Sequence, residues 1–131
     1  MTGAPLILTP LKRALATLEE ALTAPDSGFV RDSIVKRFEY TYELSWKMMQ
    51  RFLARREDDI PPTRRELFRD AARLGLIEDP RVWFMFHENR NKTAHAYSEK
   101  AAREVIAMAR QLSPAVAFLI DALERSDGRA T

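Results

Sequence analysis

Eight consecutive residues near position 90 carry the side chains that could act on a phosphodiester. The segment from Arg90 to Tyr97 (RNKTAHAY) holds a permanent cation, the Asn91 carboxamide, one of the two histidines (His95) and a phenol. An arginine presents planar donors that match a phosphate, and histidine exchanges protons near neutral pH. The pattern Arg-x4-His-x-Tyr therefore supplies the parts needed to handle a phosphodiester without a metal ion.

The spacing limits how these side chains can meet. Residues four apart share a helix face, so His87, Asn91 and His95 would form one stripe. Arg90 and His95 are five apart and are rotated by about 140° on a regular helix. They can both face one phosphate only if the helix ends between them, if the cleft is wide, or if a second subunit contributes.

A two-fold symmetric dimer would bring two Arg90 and two His95 side chains into one groove. One histidine would then take the proton from an RNA 2′-hydroxyl, and the other would protonate the leaving oxygen. The arginines would stabilise the charge of the phosphorane. Because one chain offers only one such histidine, the mechanism favours a homodimer.

Two other interpretations of the segment remain. An Arg-x4-His pair is common on helices and also serves simply to pin two helices together. A metal site is disfavoured, because His87 and His95 would be about 12 Å apart along a helix and cannot share one ion. We therefore predict neither a metal site nor a cofactor.

An acidic pair, Glu39 and Glu43, recurs at four-residue spacing with Lys47. The three side chains can form an exposed salt-bridge ladder, which stabilises a helix by about 0.3–0.5 kcal/mol per pair. Alternatively, the acidic pair lies at the site and orients Arg90 or His95, or meets a partner. Both interpretations are open at this stage.

Another segment carries a basic stripe formed by Arg65, Arg69 and Arg73, which also has two interpretations. Like charges at this spacing mildly destabilise a helix, so an acidic group such as an RNA backbone is expected opposite them. Neighbouring Asp and Glu residues provide the alternative counter-charge. The aromatic residues Trp46, Trp83 and Phe84 are predicted to lie in the core or at a dimer interface, in preference to serving as stacking platforms for bases.

The bulk composition predicts a soluble, globular protein of one domain spanning residues 1–131, with a core of about 6–125. Of 131 residues, 46% are hydrophobic and 31% charged, and the net charge is +2. Cysteine is absent, which fits a reducing cytoplasm. We find no signal peptide and no apolar run near the roughly 20 residues of a membrane span, so a cytoplasmic protein without a membrane partner is expected.

Hydrophobic periodicity predicts an all-α fold, an up-and-down bundle of four main helices plus one short helix. The first helix is expected to begin with Thr9 as its cap and Pro10 at its first position, and the second to run over 29–55. A short third helix should follow the capping box Thr63-x-x-Glu66 and end at Gly75. The fourth is expected from Asp79–Pro80, and the last from Ser98–Glu99 to about 125, with a kink and no break at Pro114. The second helix carries two apolar stripes. It must therefore be covered on more than one side, either inside one bundle or by a second subunit.

The segment from Arg37 to Lys47 (RFEYTYELSWK), followed by Arg90-Asn91-x-x-x-His95-x-Tyr97, resembles the nucleotidyltransferase substrate-binding protein family of the HEPN superfamily. The resemblance covers about residues 6–125. It implies a five-helix bundle that dimerises and a small nucleotidyltransferase as partner, usually encoded nearby.

The resemblance implies one of two functions. In the first, the chain is a metal-independent endoribonuclease toxin of a toxin–antitoxin pair. Arg90 and His95 would be catalytic, Asn91 supporting, and Tyr97 the hydroxyl to which the partner adds AMP. In the second, the chain is a non-catalytic subunit that binds a substrate for the nucleotidyltransferase. RNA or a nucleotide is the expected ligand in either case.

Overall fold

The structure, a computed structural model, describes residues 6–56, 58–93 and 98–126 and is all-helical over these ranges. It has five helices: α1 (Thr9–Thr23), α2 (Gly28–Arg55), α3 (Arg64–Arg73), α4 (Pro80–Lys92) and α5 (Glu99–Ser126). The predicted all-α bundle with one short helix, α3, is confirmed.

Local capping signals fix four of the five described helix starts. Side-chain oxygens of Ser27, Thr63, Asp79 and Ser98 accept hydrogen bonds from backbone N–H groups in the first turns of α2, α3, α4 and α5. The start of α1 differs from the prediction. Leu8, not Thr9, is the cap residue and makes no side-chain cap bond. Leu8 is fully buried, so core packing holds this end of the helix.

The end of α3 is closed by Gly75, as predicted. Gly75 adopts a φ of 80°, and its N–H donates to the carbonyl of Ala72 at 3.0 Å. The N–H of Leu76 donates to the carbonyl of Ala71 at 2.9 Å, and the Leu76 side chain is buried. These two bonds form a Schellman motif, which turns the chain towards α4.

Helix α2 is the central element, because it packs against each of the other four helices. Its first apolar stripe is entirely buried and comprises Ile34, Phe38, Thr41, Ser45, Met48 and Phe52. In the second stripe Tyr42, Met49 and Leu53 are buried, while Val35 and Trp46 are partly so. Packing within one chain therefore accounts for both stripes without a second subunit.

Helix α5 requires one correction to the sequence prediction. A segment within Glu99–Ser126 is long and apolar enough to cross a membrane by length and composition, so an apolar run of that length does exist. Half of that segment is buried inside the bundle, where α5 packs on α1, α2 and α4. A core helix has the same composition, and α5 continues through Pro114 as predicted.

Candidate functional site

Arg90 lies in the last turn of α4 and faces the acidic pair of α2. Its Nε donates to Glu43 Oε1 at 3.1 Å, and its Nη1 is 3.4 Å from Glu39 Oε2. The Arg90 side chain is 31% exposed, so it remains accessible to a ligand. Of the two interpretations of Glu39 and Glu43, the geometry favours the one in which they orient Arg90.

The residue after α4 gives Arg90 a further anchor. Nη1 of Arg90 donates to Thr93 Oγ1 at 3.1 Å, and that hydroxyl donates to the Arg90 carbonyl at 2.7 Å. Thr93 is 8% exposed. The guanidinium is therefore fixed from both α2 and the end of its own helix, which limits its rotamers before any ligand arrives.

Trp46 extends this network across α2. Its Nε1 donates to Glu43 Oε2 at 3.1 Å, so both oxygens of Glu43 have a donor. On the ring face of Trp46 lies Arg64 of α3, whose Cζ is 3.2 Å from the ring centroid. A series of three contacts thus connects α3, α2 and α4: Arg64 with Trp46, Trp46 with Glu43, and Glu43 with Arg90.

His87 makes a contact that the sequence analysis did not identify. Its Nδ1 lies 2.8 Å from the hydroxyl of the buried Tyr42. Burial raises the pKa of Tyr42 well above its usual range, so the phenol remains protonated and donates to Nδ1. The ring proton of neutral His87 is then on Nε2. No local signal reveals this pair, because 45 residues separate its members.

Burial also lowers the pKa of His87 from its usual 6.5, and the neighbouring Arg64 guanidinium lowers it further. Arg90 acts in the same direction, while Glu43 and Glu88 oppose the shift. His87 is thus favoured as a neutral imidazole, and it feels charges from three helices. It lines a small cleft with Arg64, Arg65, Phe68, Phe84 and Glu88.

The remaining predicted site residues lie at or beyond the end of α4. Asn91 is exposed in the final turn. His95 and Tyr97 lie outside the described residues. Helix α4 ends at Lys92, so the relation predicted between Arg90 and His95 lies outside the described residues and stays a prediction. Of the stripe predicted for His87, Asn91 and His95, the structure describes His87 and Asn91, which both lie on α4.

The aromatic residues predicted to be buried differ in how far they are buried. Trp83 is a core residue at 2% exposure and packs edge-on against Phe86. Trp46 and Phe84 are only partly buried, and both carry arginine side chains on their rings. They form the edge of the core and are accessible from outside.

Chemically, the arrangement offers a fixed, partly exposed guanidinium with two carboxylates behind it. Such a group can hold an anion without reorganising, and two carboxylates also restrain an arginine that would otherwise sample many rotamers. The charge of the pair also reduces the net attraction for an anion. Orientation is therefore favoured over affinity at this position.

The sequence model of the family described as "Nucleotidyltransferase substrate binding protein like" matches residues 6–125. A relative from Haemophilus influenzae named "Probable ribonuclease HepT" is 36% identical over 106 residues, which cover 75% of this chain and 73% of the relative. The family match spans the helical bundle and the segment from Arg90 to Tyr97.

Two solved structures share the fold. A Thermus thermophilus protein is 30% identical, with a TM-score of 0.80 over 88% of this chain and 99% of that one. A Haemophilus influenzae protein, described as having the fold of a substrate-binding domain of a nucleotidyltransferase, is 30% identical, with a TM-score of 0.81 over 89% and 98%. On the family match and these likenesses, the chain belongs to the nucleotidyltransferase substrate-binding-like family of HEPN-type helical proteins.

Proposed function

We propose that this protein is a metal-independent endoribonuclease toxin that pairs with a small nucleotidyltransferase and is neutralised by addition of AMP to Tyr97. The observation that carries the proposal is the fixing of Arg90 by Glu39, Glu43 and Thr93. Supporting it, the relative named as a ribonuclease shares 36% identity. The cytoplasm is the expected compartment, where RNA and the partner would both be found.

In the proposed reaction the 2′-hydroxyl of RNA attacks the adjacent phosphorus and expels the 5′-oxygen of the next nucleotide. His95 of one subunit accepts the 2′-hydroxyl proton, and His95 of a second subunit protonates the leaving oxygen. Arg90 stabilises the extra negative charge of the phosphorane, and the Asn91 carboxamide supports it with a further hydrogen bond. The products are a 2′,3′-cyclic phosphate and a 5′-hydroxyl.

Neutralisation would follow from the position of Tyr97, two residues after His95. The partner would transfer AMP from ATP to the Tyr97 hydroxyl and release pyrophosphate. A bulky, anionic group there would repel the RNA phosphate from Arg90 and His95. This accounts for a nucleotidyltransferase as the protein partner.

The test is RNA cleavage by the purified protein in excess EDTA. We expect cleavage with cyclic-phosphate ends, abolished in His95→Ala and reduced at least a hundredfold in Arg90→Ala. Arg110→Ala removes an exposed arginine from α5 and serves as the matched control that cleaves normally. A homogeneous protein that cleaves no RNA, and whose expression leaves cells unharmed, would exclude the nuclease.

The AMP step has its own measurement. Intact-mass spectrometry of the protein co-expressed with the nucleotidyltransferase should show added AMP, localised by fragmentation to Tyr97. The Tyr97→Phe variant should stay unmodified and toxic under the same expression. Modification elsewhere, with Tyr97 untouched, would refute this part of the proposal.

The second candidate is a non-catalytic subunit that binds a substrate for the nucleotidyltransferase. The family description and the described fold of the Haemophilus structure favour it. It predicts a stable complex with the nucleotidyltransferase that survives His95→Ala, while the partner performs all catalysis. Under this alternative, the contacts of Arg90 with Glu39 and Glu43 pin α4 to α2.

A further inference from the structure

Three arginines of α3 have aromatic rings, and not carboxylates, as close neighbours among the described residues. Within residues 6–56, 58–93 and 98–126, no carboxylate lies within 4.0 Å of the guanidinium groups of Arg64, Arg65 and Arg69. By contrast, Arg73 at the end of the same helix pairs with Asp70 at 3.6 Å. The predicted basic stripe is therefore neutralised at one end and left charged along the rest.

These three arginines lie over aromatic rings instead. The Cζ of Arg64 is 3.2 Å from the ring centroid of Trp46, and that of Arg65 is 4.5 Å from the centroid of Phe84. The Cζ of Arg69 is 6.0 Å from the centroid of the same Phe84 ring. A guanidinium held on a ring face keeps its in-plane donors directed outwards, which prepares it for an anion.

We propose that these five residues (Arg64, Arg65, Arg69, Trp46 and Phe84), the arginine–aromatic surface, bind the backbone and bases of single-stranded RNA beside the cleavage site. Arg65 and Arg69 are both exposed and are four residues apart, or about 6 Å along the helix. That separation is comparable to the spacing of successive phosphates in an extended strand. Guanidinium planes and partly exposed rings also offer stacking faces to unpaired bases, which a duplex does not present.

The surface is continuous with the proposed cleavage site. Trp46, which carries Arg64, donates to the same Glu43 that holds Arg90. The cleft lined by Arg64, Arg65 and Phe84 also includes His87 and Glu88, and His87 lies one turn before Arg90 on α4. A strand whose scissile phosphate is at Arg90 would therefore reach α3 with its neighbouring nucleotides. The choice of RNA as ligand rests on the proposed function.

The experiment measures binding without cleavage, so that the two proposals can fail separately. The probe is a fluorescein-labelled single strand of about 12 nucleotides made of 2′-O-methyl RNA, which lacks the attacking hydroxyl. We expect Arg65→Ala/Arg69→Ala to weaken binding at least tenfold. The slope of log affinity against log salt should fall by about 1.4, because each lost single-strand phosphate contact removes about 0.7.

Two further variants make the result specific. Arg13→Ala/Arg110→Ala removes the same charge from exposed positions of α1 and α5 and should change affinity less than twofold. Arg65→Lys/Arg69→Lys keeps the charge and should keep the salt slope while losing part of the affinity that stacking provides. Circular dichroism should show all of these variants folded, since the side chains changed are exposed.

Three outcomes would overturn the inference. They are absence of binding by the unmodified protein, an equal loss in the α1/α5 control, and unaltered RNA binding in Arg65→Ala/Arg69→Ala. If that last variant instead fails to form the complex with the nucleotidyltransferase, the surface is a protein-docking face. If the original protein binds the 2′-O-methyl strand but cleaves no ordinary RNA, the nuclease is refuted. The arginine–aromatic surface remains supported in that case.

Discussion

At the scale of single residues, the two carboxylates that contact Arg90 affect both its orientation and its attraction for a phosphate. Glu39 and Glu43 side chains are 22% and 31% exposed, so their charges are only partly screened. They hold the guanidinium in place and at the same time repel an incoming phosphate. Removing their charge should therefore change binding and catalysis in opposite directions.

The variant Glu39→Gln/Glu43→Gln tests this division. We expect RNA to bind more tightly, because two negative charges are lost, and the maximal cleavage rate to fall by about tenfold to a hundredfold, because Arg90 is less well oriented. Single-turnover cleavage and binding of the 2′-O-methyl strand measure the two quantities separately. Glu104→Gln on α5 is the matched control.

A purely structural role for the acidic pair predicts a different outcome. Binding and cleavage would then decline together, in step with a lower free energy of unfolding. A double variant that unfolds like the original protein but shows no change in cleavage rate would contradict the positioning role. Glu43→Gln alone should be milder than Glu43→Ala, since the amide oxygen can still accept from Arg90.

The lowered pKa of His87 predicts how the free energy of unfolding changes with pH. Its pKa in the folded state is lowered below the usual 6.5, so the unfolded chain binds the proton more readily. The free energy of unfolding should therefore fall as pH drops below 6.5 through the lower folded value, and then level off. The facing groups that tune this are Tyr42 and Glu43 on α2, Arg64 on α3, and Glu88 and Arg90 on α4.

Urea unfolding at about pH 7.5 and about pH 5 provides the measurement, with His87→Gln as the comparison, because glutamine does not titrate. The original protein should lose more stability between these pH values than the variant. Equal losses would show that His87 contributes nothing to the acid sensitivity. Subtracting the loss in the variant from the loss in the original protein cancels the contributions of the carboxylates and of His95, which both proteins share.

At the scale of helices, the end of α3 depends on the backbone of one glycine. Gly75 has a φ of 80°, where a Cβ is strained even though no atom lies within 4 Å of it. Gly75→Ala should lower the free energy of unfolding by about 1 kcal/mol, as measured by urea denaturation. Gly28→Ala, at the start of α2 and also in open space, is the control and should be neutral or stabilising by up to about 1 kcal/mol.

If both alanine variants behaved alike, the strain at Gly75 would not be what ends α3. A larger loss than expected for Gly75→Ala would mean that the turn into α4 moves as well. Cleavage by the two variants would then diverge, because α4 carries Arg90 while Gly28 is remote from it in sequence.

Most helix starts were predictable because their capping signals are local, whereas the start of α1 is held by the buried Leu8 and carries no such signal. Ser27, Thr63, Asp79 and Ser98 each cap a backbone N–H only two or three residues away. The contacts of the site depend on how distant segments pack, and local patterns do not encode them. Glu43 and Arg90 are 47 residues apart, and Tyr42 and His87 are 45 apart.

The sequence could place Glu39 and Glu43 on one helix face but could not decide what that face meets. The spacing likewise grouped Arg65, Arg69 and Arg73 into one basic stripe. In the structure Arg73 pairs with Asp70, so it differs from the other two. Arg64, one residue outside that stripe, was overlooked because its importance comes from Trp46 on another helix. The length of the apolar stretch in α5 was underestimated, because polar residues are spread along this mostly apolar core helix, although the helix itself was predicted.

At the scale of the whole molecule, the proposed mechanism requires two chains. We expect sedimentation equilibrium to give twice the 15.1 kDa mass of one chain. On dilution, specific cleavage activity should fall in parallel with dissociation, because each site needs His95 from both subunits. Chemical crosslinking of the dimer before dilution should preserve activity. A monomer with full specific activity would rule out the composite site.

The central position of α2 also determines how the site responds to thermal fluctuations. Glu39 and Glu43 belong to a helix that packs against all the others, so their backbone amides should exchange with solvent only when the whole bundle unfolds. Arg90 is two residues from the end of α4, where a helix frays most easily. Local opening would therefore release the arginine and leave the carboxylates in place, so brief disorder at one helix end is sufficient to dismantle the site without unfolding the protein.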